Sequence, residues 1–142
     1  MYKVLLFFHF LGLALGVGTG FANMALGIVT KNLPPEERAP FVLKTLVLSR
    51  NGSIGLLLLL LSGIGMTLMR GVGATFAWGG PAFHLKLTLV VIFLGVFGYM
   101  QVLIKKVKQD GGGPTLAKLP KIGPILHLLA MGIMIAAVVA FG

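Results

Sequence analysis

The chain has 142 residues, of which 57% are hydrophobic and only 11% charged, and its mean hydropathy is +1.01. Soluble domains carry roughly 25% charged residues, and a domain of this size buries only about two-thirds of its chain. The composition therefore excludes a water-soluble enzyme, a disordered chain and a nucleic-acid-binding domain. Twelve Lys and Arg against three Asp and Glu give a net charge of +9. These cations lie between apolar runs, where they set topology and meet lipid headgroups. The absence of Cys excludes disulfides, thiolate metal sites and thiol redox chemistry.

The pattern predicts an all-α integral membrane protein, a four-helix bundle forming one transmembrane domain over 1–142. A crossing helix needs about 20 apolar residues. The first run, about 4–30, follows Lys3. It is longer than a signal-peptide core of about 7–15 residues and reads as a retained helix that also serves as the insertion signal. A Pro and charge-rich turn follows over 31–40. Pro34, Pro35, Glu36 and Glu37 within it have the character of a helix start. The second span covers about 41–69, with its apolar core at 53–69. A Gly-rich turn at 71–81 leads to a third span at about 82–104. A Lys, Gly and Pro loop at 105–121 leads to the fourth, at about 122–141. The runs are continuous rather than alternating, which excludes a barrel.

Four spans place Lys3, Arg70 and Lys86 on one side. Lys31, Arg38, Lys44, Arg50, Lys105, Lys106, Lys108, Lys118 and Lys121 fall on the other. The excess of Lys and Arg assigns the second side to the cytoplasm. The expected location is the cell inner (plasma) membrane, with both termini outside. Glu36, Glu37 and Asp110 all fall in the cytoplasmic loops, so no carboxylate remains for a proton relay within the bilayer.

All three His fall inside spans, where an ionisable residue is a functional hypothesis by default. The competing reading is a neutral His bonded to a neighbouring helix. By helical rise, His9 and His84 lie within roughly 10 Å of the outer boundary, and His127 about 10–15 Å deeper. His9 and His84 are thus the candidate metal ligands for a shared group. His9, Gly12, Gly16, Gly20, Asn23 and Gly27 share one face of the first span. That seam serves either close helix packing or a slot for a flat macrocycle against bare backbone, with Gly12 and Gly16 making the room. His84, Thr88, Val91, Gly95 and Gly98 repeat the pattern on the third span. Lys86 lies about 200° around the helix from His84. It either snorkels to the headgroups or, with Arg70 or Lys3, pairs with an anionic ligand group. His127, Met131 and Met134 share a face, as do Ser62, Met66 and Met69. Such faces suit soft Cu(I), axial ligation of haem or plain packing. Trp78 and Tyr2 fit an interfacial aromatic belt. Gly16-x-Gly18-x-Gly20 sits inside an apolar span rather than after a strand, so it is no nucleotide loop.

Two short motifs carry a family resemblance. The first span opens with Phe8-His9-Phe10-Leu11-Gly12, and the third with Phe83-His84-Leu85-Lys86-Leu87. In length, helix count and these motifs the chain resembles the HemJ-type protoporphyrinogen oxidases and the wider set of small membrane proteins that includes CopD-like domains. The resemblance implies a b-type haem in the bundle and functional roles for His9 and Lys86, with His84 beside the latter. Further along the first span the chain departs from that family, with a Gly-rich stretch and Asn23 where the family has a Trp and an Arg. The resemblance therefore points to the superfamily rather than to porphyrinogen oxidation itself. The resulting expectation is a small haem-binding redox protein acting on a lipophilic reductant such as a porphyrinogen or quinol. Its partners would be the lipid bilayer and either other membrane subunits or further copies of itself. The alternatives are an accessory subunit of a membrane complex, and copper or small-cargo handling by the His and Met faces.

Overall fold

The computed structural model describes residues 1–111 and 113–142. It is built from helices, with no strand among the described residues. The first helix, α1 (Tyr2–Lys31), ends with Lys31 in its last turn, where the helix dipole favours a cation. The second, α2 (Pro35–Thr45), has Pro at its start and Glu36 and Glu37 in its first turn. Proline costs no hydrogen bond at that position, and acids there complement the dipole. Next, α3 (Leu48–Arg70) stops at Gly71, whose φ is 91°. The longest element, α4 (Val72–Asp110), has two limbs that meet at Gly80 (φ 51°, ψ −148°), just before Pro81. It ends at the left-handed Gly111, a common helix stop because Gly has no Cβ to clash there. A 3-10 turn (Pro114–Lys118) leads into α5 (Leu119–Phe141). Four stretches are long and apolar enough to cross a membrane: Tyr2–Lys31, Pro35–Arg70, Val72–Asp110 and Pro114–Phe141.

The elements differ from the sequence expectation in three places. The expected Gly-rich turn at 71–81 is mostly helix, because only Gly71 and Gly80 adopt positive φ there and the residues between them stay helical. The third span continues past 104 to Asp110. Lys is a good helix former, and Lys105, Lys106 and Lys108 near a helix C-terminus suit the dipole. The second span breaks after Thr45, and α3 begins at Leu48.

The helices associate as two pairs. α1 packs along α3 and α4 along α5, whereas α1 meets α5, and α3 meets α4, at few points. Glycine makes the first pair possible. A Cβ on Gly12 would lie 2.8 Å from the Gly55 carbonyl oxygen and 2.9 Å from the Leu59 nitrogen. A Cβ on Gly55 would collide with the Gly16 nitrogen. In the second pair Gly132 faces Leu89, and Ala136 and Ala140 are buried. The main apolar core lies where the chain makes its longer connections, here termed the loop end. Leu46, Leu103, Ile104, Val107, Leu119 and Ile122 cluster there. A cleft between the pairs runs from beside this cluster, at Leu46, Ile104 and Leu119, to the opposite, terminal end near His9 and Gly142.

Candidate site in the cleft between the helix pairs

A cavity of about 1240 Å³ runs between the pairs and is walled by α1, α3, α4 and α5. That exceeds the roughly 300–1,000 Å³ of ordinary small-molecule pockets. Its walls are mainly apolar, and the ionisable side chains on them are His9, Lys31, Arg38, Lys86 and His127. Among the described residues no Asp or Glu side chain lines it.

His9 is fixed by α3. Its Nδ1 lies 2.9 Å from the Ser62 Oγ. Ser62 is buried, and its hydroxyl donates to the Leu58 carbonyl at 2.5 Å. A hydroxyl has one hydrogen, so the Ser62 oxygen is the acceptor and the His9 Nδ1 the donor. The lone pair then resides on Nε2. An imidazole whose other nitrogen is tied down in this way is the usual form of a metal-ligating His. The ring also packs against Gly63, where a Cβ would stand 3.5 Å from it.

Lys86 lines the same cavity from α4. Its Nζ lies 5.5 Å from the centre of the Phe141 ring. Side chains lean toward the N-terminus of their helix. Since α1 and α4 both begin at the terminal end, His9 and Lys86 lean the same way.

The other sequence candidates fall elsewhere. His84 is exposed and outside the cleft, with its ring 4.9 Å from that of Phe76. The phase difference between His84 and Lys86 is responsible, because a helix that turns Lys86 inward turns His84 away. His9 and His84 therefore do not face one another. Gly12 is buried in the α1–α3 seam rather than on the cavity wall. Gly16 contributes to both, facing Gly55 and lining the cavity. Arg70 is exposed at the rim. Its guanidinium sits 3.9 Å above the Trp78 ring and 5.7 Å from that of Tyr2, so the expected aromatic belt residues hold it away from the cavity.

His127 lines the cavity nearer the loop end, eleven residues of α1 below His9 as judged by its contact with Gly20, or roughly 16 Å. Its Nδ1 donates to the Gly123 carbonyl at 2.7 Å. Its Nε2 is buried without a partner and would stand 3.0 Å from a Cβ on Gly20. The ring meets Phe21 edge-on. Met131 and Met134 also line the cavity, whereas Met66 and Met69 do not. Among the described residues no three His, Cys, Asp or Glu side chains gather as a metal site.

Two roles escaped sequence reading. Ser62 reads from the sequence as sharing a face with Met66 and Met69, and its tie to His9 depends on which helix α3 faces. Phe76 projects into the cleft from a stretch whose glycine content reads as a turn. Comparison with family models, with curated proteins and with solved structures finds no match for this chain.

Proposed function

We propose that the chain is a multi-pass protein of the inner (plasma) membrane, with its terminal end outside, that binds a b-type haem in the terminal half of the cleft. The observation that carries this reading is the tethered His9. It presents an unpaired Nε2 on the wall of a cavity large enough for a macrocycle, with a cation on the same cavity. The residues present fit the group. His9 would supply a nitrogen ligand, Ser62 holds its tautomer and orientation, and Lys86 would pair with a propionate. Gly16 and Gly63 keep the backbone wall low beside the ring. Haem bound there supplies one-electron redox chemistry for a lipophilic reductant such as a porphyrinogen or quinol. The apolar walls exclude water and raise the strength of the Lys86–carboxylate pairing.

Absorption spectra of the detergent-purified protein, oxidised and then dithionite-reduced, test this. A Soret band that His9→Ala abolishes or shifts is the expected result. A protein that stays colourless when expressed with a haem precursor overturns the reading. Topology is tested separately by introducing single Cys residues. A Cys at Lys3 should react with an impermeant maleimide added outside, and one at Lys118 should not.

A second reading, the accessory subunit or homo-oligomer, draws on the outward face of α4. Gly95 and Gly98 are exposed there, with open space where a Cβ would stand. Co-purification of a partner chain without any colour would favour it.

A further inference from the structure

We propose that the first limb of α4, residues 72–79, is a hinged lid over the terminal mouth of the cleft, which opens to admit the lipophilic ligand. The proposal rests on reading the cleft as a ligand site. The limb is flanked by Gly71 at φ 91° and Gly80 at φ 51°, backbone conformations that residues with a Cβ rarely adopt. Each is a single position able to absorb a change of direction, as hinges of catalytic lids do. The limb between them is a rigid helix of about 12 Å. Thr75, Phe76 and Gly79 turn inward, and Thr75 and Gly79 are buried. Val72 and Phe76 form part of the cleft wall itself.

The limb is held down by rings. Phe76 meets Phe83 with centroids 5.1 Å apart and His84 at 4.9 Å. Trp78 lies 4.7 Å from Phe141 and beneath the Arg70 guanidinium. Gly79 lies so close to Phe83 that a Cβ would stand 2.5 Å from the Phe83 Cβ. Among the described residues no side-chain hydrogen bond joins the limb to another helix. The Thr75 hydroxyl, its one side-chain donor in such a bond, reaches back 2.9 Å to the Gly71 carbonyl at the hinge. Opening therefore separates apolar and aromatic surfaces and the exposed Arg70–Trp78 contact but breaks no hydrogen bond to another helix, and the membrane interface can solvate what is freed. This assigns His84 a place as well: it is a contact for the lid, outside the cleft.

The chain has no native Cys, so a lid–bundle pair can be cross-linked cleanly. In the full-length Trp78→Cys/Phe141→Cys protein, a disulfide or short bis-maleimide link should slow haemin uptake, and release to a scavenging globin, at least tenfold. Occupancy at equilibrium should be unchanged, and reducing the disulfide should restore both rates. Phe76→Ala, which loosens the lid without a link, should speed both at least threefold. Equal rates in linked and unlinked protein, with no acceleration in Phe76→Ala, overturn the lid. If even the unmodified protein takes up no haemin, the haem reading fails, and hydrogen exchange then decides the lid alone. The amides of 72–79 should exchange together, at least tenfold faster when unlinked than when linked. An unchanged exchange rate overturns the proposal.

Discussion

Gly55→Ala offers a test in which the sign of the effect is informative. In an open helix position, replacing Gly with Ala stabilises by about 1 kcal/mol through helix propensity. At Gly55 the added methyl would stand 2.8 Å from the Gly12 oxygen, 0.6 Å short of the 3.4 Å at which ordinary contact begins. It would also meet the Gly16 nitrogen and Cα, which are backbone atoms that cannot rotate aside. α1 and α3 must then move apart along the seam, and overpacking of this kind costs about 1–3 kcal/mol. Because the clash is with backbone, the cost falls in the upper part of that range and outweighs the propensity gain, for a net loss of up to about 2 kcal/mol. Gly98 is the internal control, because a Cβ there meets nothing within 4 Å and Gly98→Ala should be neutral or stabilising by up to about 1 kcal/mol. Thermal unfolding in one detergent, followed by helical circular dichroism, compares the two. If Gly55→Ala proves as stable as Gly98→Ala, the close α1–α3 approach is wrong, and with it the placement of His9 against Ser62.

Other expectations concern the cleft. Ser62→Ala should leave haem bound but weaken it by about 10–100-fold, the usual loss when the group orienting a ligating His is removed; an unchanged titration refutes the tethering role. Lys86→Gln should weaken haem by about tenfold, equivalent to 1.4 kcal/mol, while leaving the affinity for haem dimethyl ester untouched. Equal losses for the two ligands would show that Lys86 does not meet the carboxylates. His127→Leu removes a buried acceptor that has no partner, so it should raise stability by about 1 kcal/mol and leave the spectrum unaltered. A lost Soret band would instead make His127 a ligand.

Helix number and span positions were legible because they follow from hydropathy summed over many residues, which neighbours cannot overturn. His9 and Lys86 were legible as polar groups in apolar runs. Their common location was not, since periodicity fixes the face of a helix and leaves its rotation toward other helices open. His84 shows the consequence. Its depth matched that of His9, yet α4 is rotated to bring Lys86 inward. Gly12 and Gly16 belong to one sequence seam, but the first is buried against Gly55 and Leu59 while the second also reaches the cavity. The segment 72–79 reads as a turn because two of its eight residues are Gly and two more Gly flank it, and composition does not distinguish a glycine inside a helix from one that ends it. Gly73 and Gly79 are helical, whereas Gly71 and Gly80, at the edges, take positive φ.

The apolar cluster of Leu46, Leu103, Ile104, Val107, Leu119 and Ile122 has a mechanical consequence. The cluster joins the two helix pairs at the loop end, so a rotation of one pair about it is levered along the helices, as in the arms of tweezers. An arm of about 30 residues is roughly 45 Å long, so a rotation of about 5° at the clamp moves its free tip by about 4 Å. That displacement is comparable to the thickness of a flat aromatic ring. Under the proposed haem reading, side-chain volume at Val107, which lies off the cavity wall, should therefore set the aperture at His9 and Lys86. Substitutions there should tune ligand size rather than ligand chemistry.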